Sequence, residues 1–187
     1  MPDRDMADLR WSLTWEDDVS DDEHAALAGL LRRCFPHSRA GFVGSCSWSN
    51  ARPELRLVGH DGRRPVAHLG VLRRFVRVGS ASLLVGDVGL VAVDPELRRR
   101  RVGAALLGQA ADTLHSLEVP FGFLSCGEHV APFYAAGGWQ RIGNPVRMIR
   151  ADARVQVYGG VSMALPVRAS MEEWPVGGMV DRNGPEV

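Results

Sequence analysis

The sequence predicts one α/β (α+β) domain over residues 1–187, with a mixed, mostly antiparallel central sheet flanked by helices. Extended segments follow one another at 54–60, 64–78 and 82–93, and the Gly79–Ser80 break between the last two predicts a hairpin. The third segment leads into a helical pattern and then a short apolar segment, which is the order of a strand–helix–strand crossover. With 187 residues, of which 45% are hydrophobic, the chain is long enough for one buried core.

The N-terminal part of the chain predicts a strand and then a helix. Residues 9–16 alternate apolar and polar side chains, which is the period of a half-buried strand. Ser20, followed three residues later by Glu23, has the pattern of a capping box, and helical spacing continues to Cys34 before a proline ends it. Residues 36–53 are rich in Ser, Gly and Pro, and they predict a loop that includes at most a short helix.

The C-terminal half predicts two more helices and several further strands. Helical spacing over 102–117 is followed by a short apolar strand at 119–125. The next helix, over 129–136, is ended by a Gly-Gly pair. Extended structure resumes over 139–149, and one or two final strands lie within 153–165.

The composition excludes several classes of protein. The 22 basic residues balance 22 acidic ones, so the chain has no net charge to attract nucleic acid or an anionic membrane. Every basic residue is arginine, which excludes a Schiff-base lysine, a P-loop lysine and a lysine-attached cofactor. No apolar run approaches the roughly 18 residues that a membrane span needs. We therefore expect no nucleic-acid partner and no membrane span.

The first residues and the cysteines add two further expectations. Residues 1–5 lack the charged-then-apolar order of a secretory leader, which predicts a cytoplasmic protein. The three cysteines, Cys34, Cys46 and Cys126, are an odd number without metal-ligand spacing. Neither a disulfide framework nor a metal site is therefore expected.

The most informative stretch runs from Leu90 to Leu107, where an apolar strand leads through a turn into a helix that begins with small residues. Free N–H groups at such a helix start, together with the helix dipole, favour a pyrophosphate, and the arginines at 98–101 can pair with its oxygens. The alternative is a solvated basic helix start. The residues predicted to contact a cofactor here are Val91, Ala92, Val93, Arg98, Arg99, Arg101, Val102, Gly103 and Ala104.

This stretch resembles the acyl-CoA-binding motif of the GNAT superfamily of N-acetyltransferases, whose pattern is Arg/Gln-x-x-Gly-x-Gly/Ala. Arg98 occupies the first position and Gly103 the last, but Arg101 replaces the middle glycine. A side chain there still leaves a backbone N–H, although it crowds a tight phosphate loop. The resemblance implies the GNAT fold and, as co-substrate, acetyl-CoA or another acyl thioester carried by CoA or by an acyl carrier protein, with no metal.

Residues 121–139 resemble the second half of the GNAT site, with a strand, a short helix carrying Phe-Tyr, and a glycine break before an aromatic residue. In that superfamily the tyrosine protonates the departing thiolate of CoA, and its position corresponds to Tyr134. Ser125, at the end of the strand, is predicted to contact the cofactor. The alternative for Tyr134 is a structural tyrosine packed beneath the glycine pair.

The flanking segments resemble the nodulation N-acyltransferase (NodA) family. The matching segments include LRWSLTWE at 9–16, GSCSW at 44–48 and EWPVG at 173–177. Members of that family transfer a fatty acyl group to the free amine at the non-reducing end of a partly deacetylated chitin oligosaccharide. The resemblance implies an amino-sugar N-acyltransferase and leaves the donor open, because the segments that bind it diverge most.

Two residues are candidates for the general base, since amide formation requires a neutral amine. GNAT enzymes commonly place a carboxylate on the strand before the cofactor motif, and Asp87 is the candidate because Gly89 stands where many relatives have glutamate. The alternative for Asp87 is an ion pair with a neighbouring arginine. His68 is a second candidate, either as the base or as a partner for a sugar hydroxyl, and the alternative is a structural histidine.

The register of the predicted hairpin gives these candidates a relative position. Strand alternation places Asp87, Gly89, Val91 and Val93 on one face. Simple pairing about the turn puts Leu72 opposite Asp87, and it puts His68 opposite Val91 on that same face. A β-bulge in this strand would break the inference.

Four residues are predicted to bind the acceptor, because tryptophan rings stack on sugars and carboxylates hold hydroxyls or an ammonium group. They are Trp48, Glu128, Trp174 and Asp181. The alternatives are core packing for the two tryptophans and helix capping for Glu128. The sequence leaves open whether an acyl carrier protein is a partner and whether the chain forms a homodimer.

The leading hypothesis is an N-acyltransferase in which an amino-sugar amine attacks the thioester directly in a ternary complex. The first alternative is an acetyl-CoA-dependent N-acetyltransferase that modifies an aminoglycoside or another small amine. The second alternative is a GNAT-fold module that binds acyl-CoA without catalysis, which the substitution at Arg101 keeps open and Tyr134 argues against.

Overall fold

The computed structural model describes residues 9–150 and 152–187, so the expectation about a leader in residues 1–5 lies outside the described residues. The described residues form ten strands and three α-helices. The strands are β1 (Arg10–Trp15), β2 (Leu55–Asp61), β3 (Arg64–Val78), β4 (Ala81–Val93), β5 (Phe121–Cys126), β6 (Gln140–Arg141), β7 (Val146–Ile149), β8 (Val155–Tyr158), β9 (Val161–Pro166) and β10 (Val180–Asp181). The helices are α1 (Asp21–Cys34), α2 (Val102–Ser116) and α3 (Ala131–Ala136).

All ten strands belong to one mixed sheet, in the order β6-β9-β5-β4-β3-β10-β7-β8, with β2 also paired to β3 and β1 paired to β2. The β4–β5 and β10–β7 pairs are parallel, and the other pairs in the described part of the chain are antiparallel. The predicted mixed, mostly antiparallel sheet is confirmed.

The capping box at the start of α1 is present as predicted. The Glu23 backbone N–H donates to Ser20 Oγ over 3.4 Å, and the Ser20 N–H donates to Glu23 Oε2 over 2.9 Å. The helix continues to Cys34, and its buried face, which includes Leu31, packs with Leu90 and Ala92 of β4. Helix α1 therefore covers one face of the sheet.

Helix α2 covers the opposite face and makes the crossover between the parallel strands β4 and β5. Its side chains Leu106 and Leu114 are fully buried in the larger core cluster. Two glycines let the helix approach the sheet this closely. A Cβ on Gly86 would lie 2.2 Å from Leu114 Cδ2, and a Cβ on Gly122 would lie 2.8 Å from Leu114 Cδ1.

The predicted register of the β3–β4 hairpin is correct at one end and wrong at the other. Leu72 lies opposite Asp87 as expected, but His68 lies opposite Ala92 rather than Val91, because the register shifts between His68 and Gly70. Leu90 forms this β-bulge with a left-handed backbone (φ 52°). The extra residue reverses the alternation of every side chain that follows it.

The common face predicted for Asp87, Gly89, Val91 and Val93 is therefore wrong. Val91 and Val93 pack with the core cluster of α2, whereas Leu90 and Ala92 pack with α1. Asp87 and Gly89 precede the bulge and stay on the face away from α2.

Strand β10 was not predicted from the sequence. Val180 pairs antiparallel with Val78 of β3 and parallel with Val146 of β7, so this two-residue strand joins the β7–β8 hairpin to the rest of the sheet. It follows Gly177 and Gly178, both with positive φ, and a segment this short has no hydrophobic period to detect.

Residues 9–150 and 152–187 contain neither a candidate membrane span nor a candidate metal cluster. No helix there is both long and apolar enough to cross a membrane. No group of three or more His, Cys, Asp or Glu side chains there is placed to hold a metal ion.

Candidate functional site

The site is a cleft that opens where β4 and β5 diverge. These parallel strands pair from Val85 opposite Phe121 to Asp87 opposite Phe123, and their pairing ends there. Beyond that point lies a cavity of about 880 Å³, which is within the size range of small-molecule sites. We call this cavity the cleft. The start of α2, helix α3, the loop after α1 and the C-terminal segment complete its wall.

Most residues predicted to contact the cofactor line the cleft, and three do not. The lining residues among them are Val91, Ala92, Val93, Arg98, Arg99, Gly103 and Ser125. Val102, the first residue of α2, points into the core. Arg101 and Ala104 are exposed to solvent and do not line the cleft. Because α2 begins at Val102, the N–H groups of residues 102–104 have no acceptor within the helix.

Arg101 adopts the left-handed conformation that favours glycine, with φ 61° and ψ 1°. The loop before α2 thus keeps the glycine-type backbone geometry although the sequence departs from the motif. Gly103, the second residue of α2, is needed for a different reason, because a Cβ there would lie 2.8 Å from Phe133 Cε2. Helices α2 and α3 therefore contact each other closely beside the cleft.

Asp94, which sequence reasoning missed, anchors the turn between β4 and α2. It is buried, and it accepts hydrogen bonds from Arg33 (2.9 Å) and Arg64 (2.7 Å). Burial by itself raises the pKa of Asp94, but the Glu96 N–H and the two arginines lower it by more, so the net pKa is below its usual value. A charged carboxylate therefore fixes this turn.

Tyr134 lies on α3 and lines the cleft with 9% of its surface exposed. Phe133 and Trp139 contact its ring edge to face, with centroids 5.1 and 6.2 Å away. Burial raises the pKa of Tyr134 well above that of a free phenol, so the hydroxyl stays protonated over the physiological range. A protonated phenol at this position can donate a hydrogen to a leaving group in the cleft.

Asp87 is fully buried and is neutralised by two arginines. Arg182 donates two hydrogen bonds to its carboxylate, over 2.6 and 2.9 Å, and Arg74 Nε lies 3.1 Å from Oδ2. Arg182 is itself 1% exposed and reaches Ser125 Oγ at 3.3 Å and Glu186 Oε2 at 3.5 Å. The carboxylate of Asp87 is thus held within an ion network behind the cleft wall, and it does not line the cleft.

His68 is fully buried, and both of its ring nitrogens are engaged. Arg56 Nη1, which can only donate, lies 3.2 Å from Nε2, so Nδ1 carries the hydrogen that is donated to the Leu90 carbonyl over 2.9 Å. Burial, and then the charge of Arg56, lower the pKa of His68 to about 3. The neutral ring therefore holds the β-bulge and, like Asp87, does not line the cleft.

Three of the four predicted acceptor residues lie away from the cleft. Trp174 is 5% exposed, packs against Phe121 and Phe123, and donates from Nε1 to Asn144 Oδ1 over 3.1 Å, so neither of its faces is free for a sugar. Trp48 packs against His24 and lies beneath the guanidinium of Arg52 at 4.6 Å.

The two predicted acidic residues are both paired with arginine. Asp181 pairs with Arg77 at 2.9 Å and with Arg147. Glu128 is exposed, pairs with Arg141 at 3.0 Å, and lines a smaller second cavity. The structure thus brings Glu128 close to the cleft, whereas Asp181 lies on the β3–β10–β7 surface.

The C-terminal segment supplies residues that sequence reasoning missed. Val187 occupies the space beside Gly89, where a Cβ would lie 2.2 Å from the Val187 carbonyl oxygen. Glu186 is held by a hydrogen bond from the Ala51 N–H to its carbonyl over 2.8 Å. Among the described residues that line the cleft, Glu186 carries the one carboxylate side chain. The resemblance of the C-terminal segment to the nodulation N-acyltransferase family was the sequence signal that could have pointed to these residues.

Known proteins resemble this chain in sequence along nearly its whole length. The family model described as nodulation protein A (NodA) matches residues 6–187. Nodulation protein A of Methylobacterium nodulans is 36% identical to this chain over an aligned length of 194 positions. The alignment covers 96% of this chain and 90% of that protein. Nodulation protein A of Rhizobium tropici is 34% identical over an aligned length of 193 positions, and the alignment covers 96% of this chain and 98% of that protein.

Solved structures show the same fold at low sequence identity. The GNAT family N-acetyltransferase YhbS from Escherichia coli, in complex with CoA, has a TM-score of 0.64 at 17% identity, covering 92% of this chain and 89% of that chain. An acyl-CoA N-acyltransferase from Pseudomonas aeruginosa has a TM-score of 0.58 at 17% identity, covering 84% and 99%.

The parallel strands that separate, the helix that begins beside the cleft and the buried tyrosine are those of an acyltransferase of the GNAT fold, which in the YhbS structure holds CoA. Within that fold, the chain belongs to the nodulation protein A family. It is an N-acyltransferase of the class that acylates the amine of chitooligosaccharides. The predicted fold class and enzyme class are confirmed.

Proposed function

We propose that this chain transfers an acyl group from a thioester on CoA or on an acyl carrier protein to the free amine of a partly deacetylated chitooligosaccharide. The observation that carries the proposal is the cleft itself. One wall has the free N–H groups of α2 beside Arg98 and Arg99, which suit a pyrophosphate. Helix α3 adds Tyr134 to the lining, a protonated phenol suited to the sulfur of the donor.

We assign the acid role to Tyr134 and the contact with the ammonium group to Glu186. Glu186 faces the cleft and is partly exposed, so it can take a proton from the ammonium directly or through water. Asp87 and His68 are positioning residues in this scheme, because their polar atoms are occupied by Arg182 and by Leu90 and Arg56. Gly89 leaves room for the segment that carries Glu186.

The reaction then proceeds by direct attack. The neutral amine nitrogen attacks the thioester carbonyl carbon, and a backbone N–H of the bulge, where Leu90 and Val91 have no partner in β3, stabilises the resulting oxyanion. The carbon–sulfur bond breaks as the tetrahedral intermediate collapses, and the sulfur takes the proton of Tyr134. The proton lost by the new amide nitrogen restores the phenol, so the products are the amide and a free thiol.

The far end of the cleft supports a donor with an acyl chain longer than acetyl. Phe35, Phe42, Leu90 and Ala92 form an apolar wall there, on the α1 side of the sheet. A carbon chain buried against such a wall gains about 0.8 kcal/mol for each CH₂ removed from water. The residues present therefore fit a chain as well as an acetyl group.

The test measures free thiol release from acetyl-CoA and from a long-chain acyl-CoA. The acceptors are glucosamine, a chitin tetramer with one free amine at its non-reducing end, and an aminoglycoside, with fully acetylated tetramer as the control that lacks an amine. We expect turnover with the singly deacetylated tetramer and none with the control. Turnover confined to the aminoglycoside would overturn the acceptor assignment. CoA binding without turnover on any amine or donor would overturn the enzymatic proposal.

A further inference from the structure

A second cavity adjoins the cleft on the side of β9. Its volume is about 420 Å³, and it lies between the loop after β6, the turn between β8 and β9, and Glu128. Ser162, which lines this cavity, has its Oγ 3.1 Å from that of Ser125, which lines the cleft. Tyr158, also in the lining, is close enough to Glu186 and Arg182 for their charges to affect its pKa. The two cavities therefore lie on either side of the Ser125–Ser162 contact.

The lining has the chemistry of a site for a neutral sugar. It combines one aromatic ring, Tyr158, with a hydroxyl, glycine backbone and the Glu128–Arg141 ion pair. The ring offers an apolar face with a polar edge, and the ion pair can exchange hydrogen bonds with hydroxyl and acetamido groups. The two charges cancel, so the cavity has no excess carboxylate to hold a polycationic aminoglycoside and no excess cation to hold a phosphate.

The cavity is rigid before any ligand binds. Asn144 Nδ2 donates to the carbonyls of Gly177 (2.9 Å) and Gly178 (3.0 Å), and its Oδ1 accepts from Trp174 Nε1. The Ile142 N–H donates to the Ser162 carbonyl over 3.0 Å. These bonds fix the loop after β6, so binding need not order it, which lowers the entropic cost of association.

We propose that the second cavity binds the N-acetylated sugar units that follow the amine-bearing unit of the acceptor, with one ring lying on Tyr158. The proposal rests on the acceptor class proposed above and adds the place where its chain is held. Gly160 belongs to the same arrangement, because a Cβ there would lie 2.6 Å from the Tyr158 hydroxyl and would displace the ring.

The first test compares acceptors of different length. For each variant the measured quantity is kcat/KM for the singly deacetylated tetramer divided by kcat/KM for glucosamine, which is too short to fill both cavities. We expect Tyr158→Ala and Gly160→Ala to lower this ratio about tenfold, which corresponds to about 1.4 kcal/mol of binding. Tyr158→Phe, which keeps the ring, should keep the ratio, as should the control Val157→Ala on the exposed side of β8.

The second test does not depend on catalysis. Fully acetylated chitin tetramer, which cannot be acylated, is titrated into wild-type protein and into Tyr158→Ala by calorimetry. We expect binding to the wild type that is about tenfold weaker in the variant. Equal binding by the two, or an unchanged acceptor ratio in a folded Tyr158→Ala protein, would overturn the second-cavity site. Tetramer binding that depends on Tyr158 but occurs in a protein without transferase activity would support the site and overturn only the proposed reaction.

Discussion

His68 donates a hydrogen bond from Nδ1 to the carbonyl of Leu90, the residue whose left-handed backbone forms the bulge in β4. On its other side, Arg56 joins His68 to Glu16 through two hydrogen bonds of 2.6 and 2.9 Å. A chain of buried polar groups thus runs from Glu16, the residue after β1, to the bulge beside the cleft. The histidine shapes the cleft from behind instead of entering it.

Replacing His68 should therefore cost stability first. His68→Ala leaves the buried Leu90 carbonyl and an Arg56 donor without their partner, at a cost of about 2–4 kcal/mol in the free energy of unfolding. His68→Gln can keep both hydrogen bonds and should cost less. Urea unfolding measures both variants. A His68→Ala protein as stable as the wild type would contradict the role given to the Leu90 contact.

The same histidine predicts a pH dependence of stability. Its pKa in the folded protein is about 3, below the value of about 6.5 in an unfolded chain, so the unfolded state binds a proton that the folded state does not. The contribution is complete above about pH 6.5, and it falls as the pH drops, by about 1.4 kcal/mol per unit. Unfolding free energies between pH 7 and pH 4 should fall less steeply for His68→Gln. If the unfolding free energy of the wild type and of His68→Gln fell with pH at the same slope, His68 would not be the source of this pH dependence.

The Asp87–Arg182 pair should behave as a buried ion pair. Asp87→Asn or Arg182→Met leaves the buried network of Asp87, Arg182 and Arg74 with one uncompensated charge, and each should lower the free energy of unfolding by about 3–5 kcal/mol. The double variant should be more stable than the sum of the two losses predicts. Arg147→Gln, which breaks an exposed pair with Asp181, serves as the matched control and should cost under about 1 kcal/mol. Additive losses in the double-mutant cycle would argue against direct coupling.

At position 101, glycine should be tolerated better than any other substitution. Its left-handed conformation costs an L-amino acid about 1–2 kcal/mol, and glycine removes that cost. Arg101→Gly should therefore leave the melting temperature unchanged or raise it, while the β-branched Arg101→Val should lower it. Arg100→Gly is the control, because Arg100 is not left-handed and gains nothing from glycine. Equal losses for both glycine variants would show that no strain is stored at Arg101.

Tyr134→Phe removes the hydroxyl and leaves the packing with Phe133 and Trp139 in place. Loss of a general acid should lower kcat about 100-fold with little change in KM for the donor. Because the pKa of Tyr134 is raised by burial, the wild-type rate should show no alkaline decline from this group near pH 9. Unchanged kcat in the folded variant would remove Tyr134 as the acid and leave the fold assignment intact.

Several functional features could be predicted from local patterns. The capping box at Ser20 and the strand–helix–strand order around Gly103 depend on residues close together in sequence, and both are present. The position of Tyr134 in the cleft followed from the motif spacing. Strand β10 could not be predicted in this way, because two residues carry no period.

The sequence by itself determined the order of the main strands and helices, the mixed sheet, the family and the tyrosine at the cleft, because hydrophobic periods, caps and motif spacing are local properties of the chain. The tertiary structure alone decided which carboxylate lines the cleft. Asp87 is neutralised by Arg182, 95 residues away, while Glu186 reaches the cleft through the space left at Gly89. It also decided the side-chain directions after Leu90, since a single bulge residue reverses an alternation of period two. Contacts between distant segments, and a single change of register, cannot be predicted from local sequence patterns.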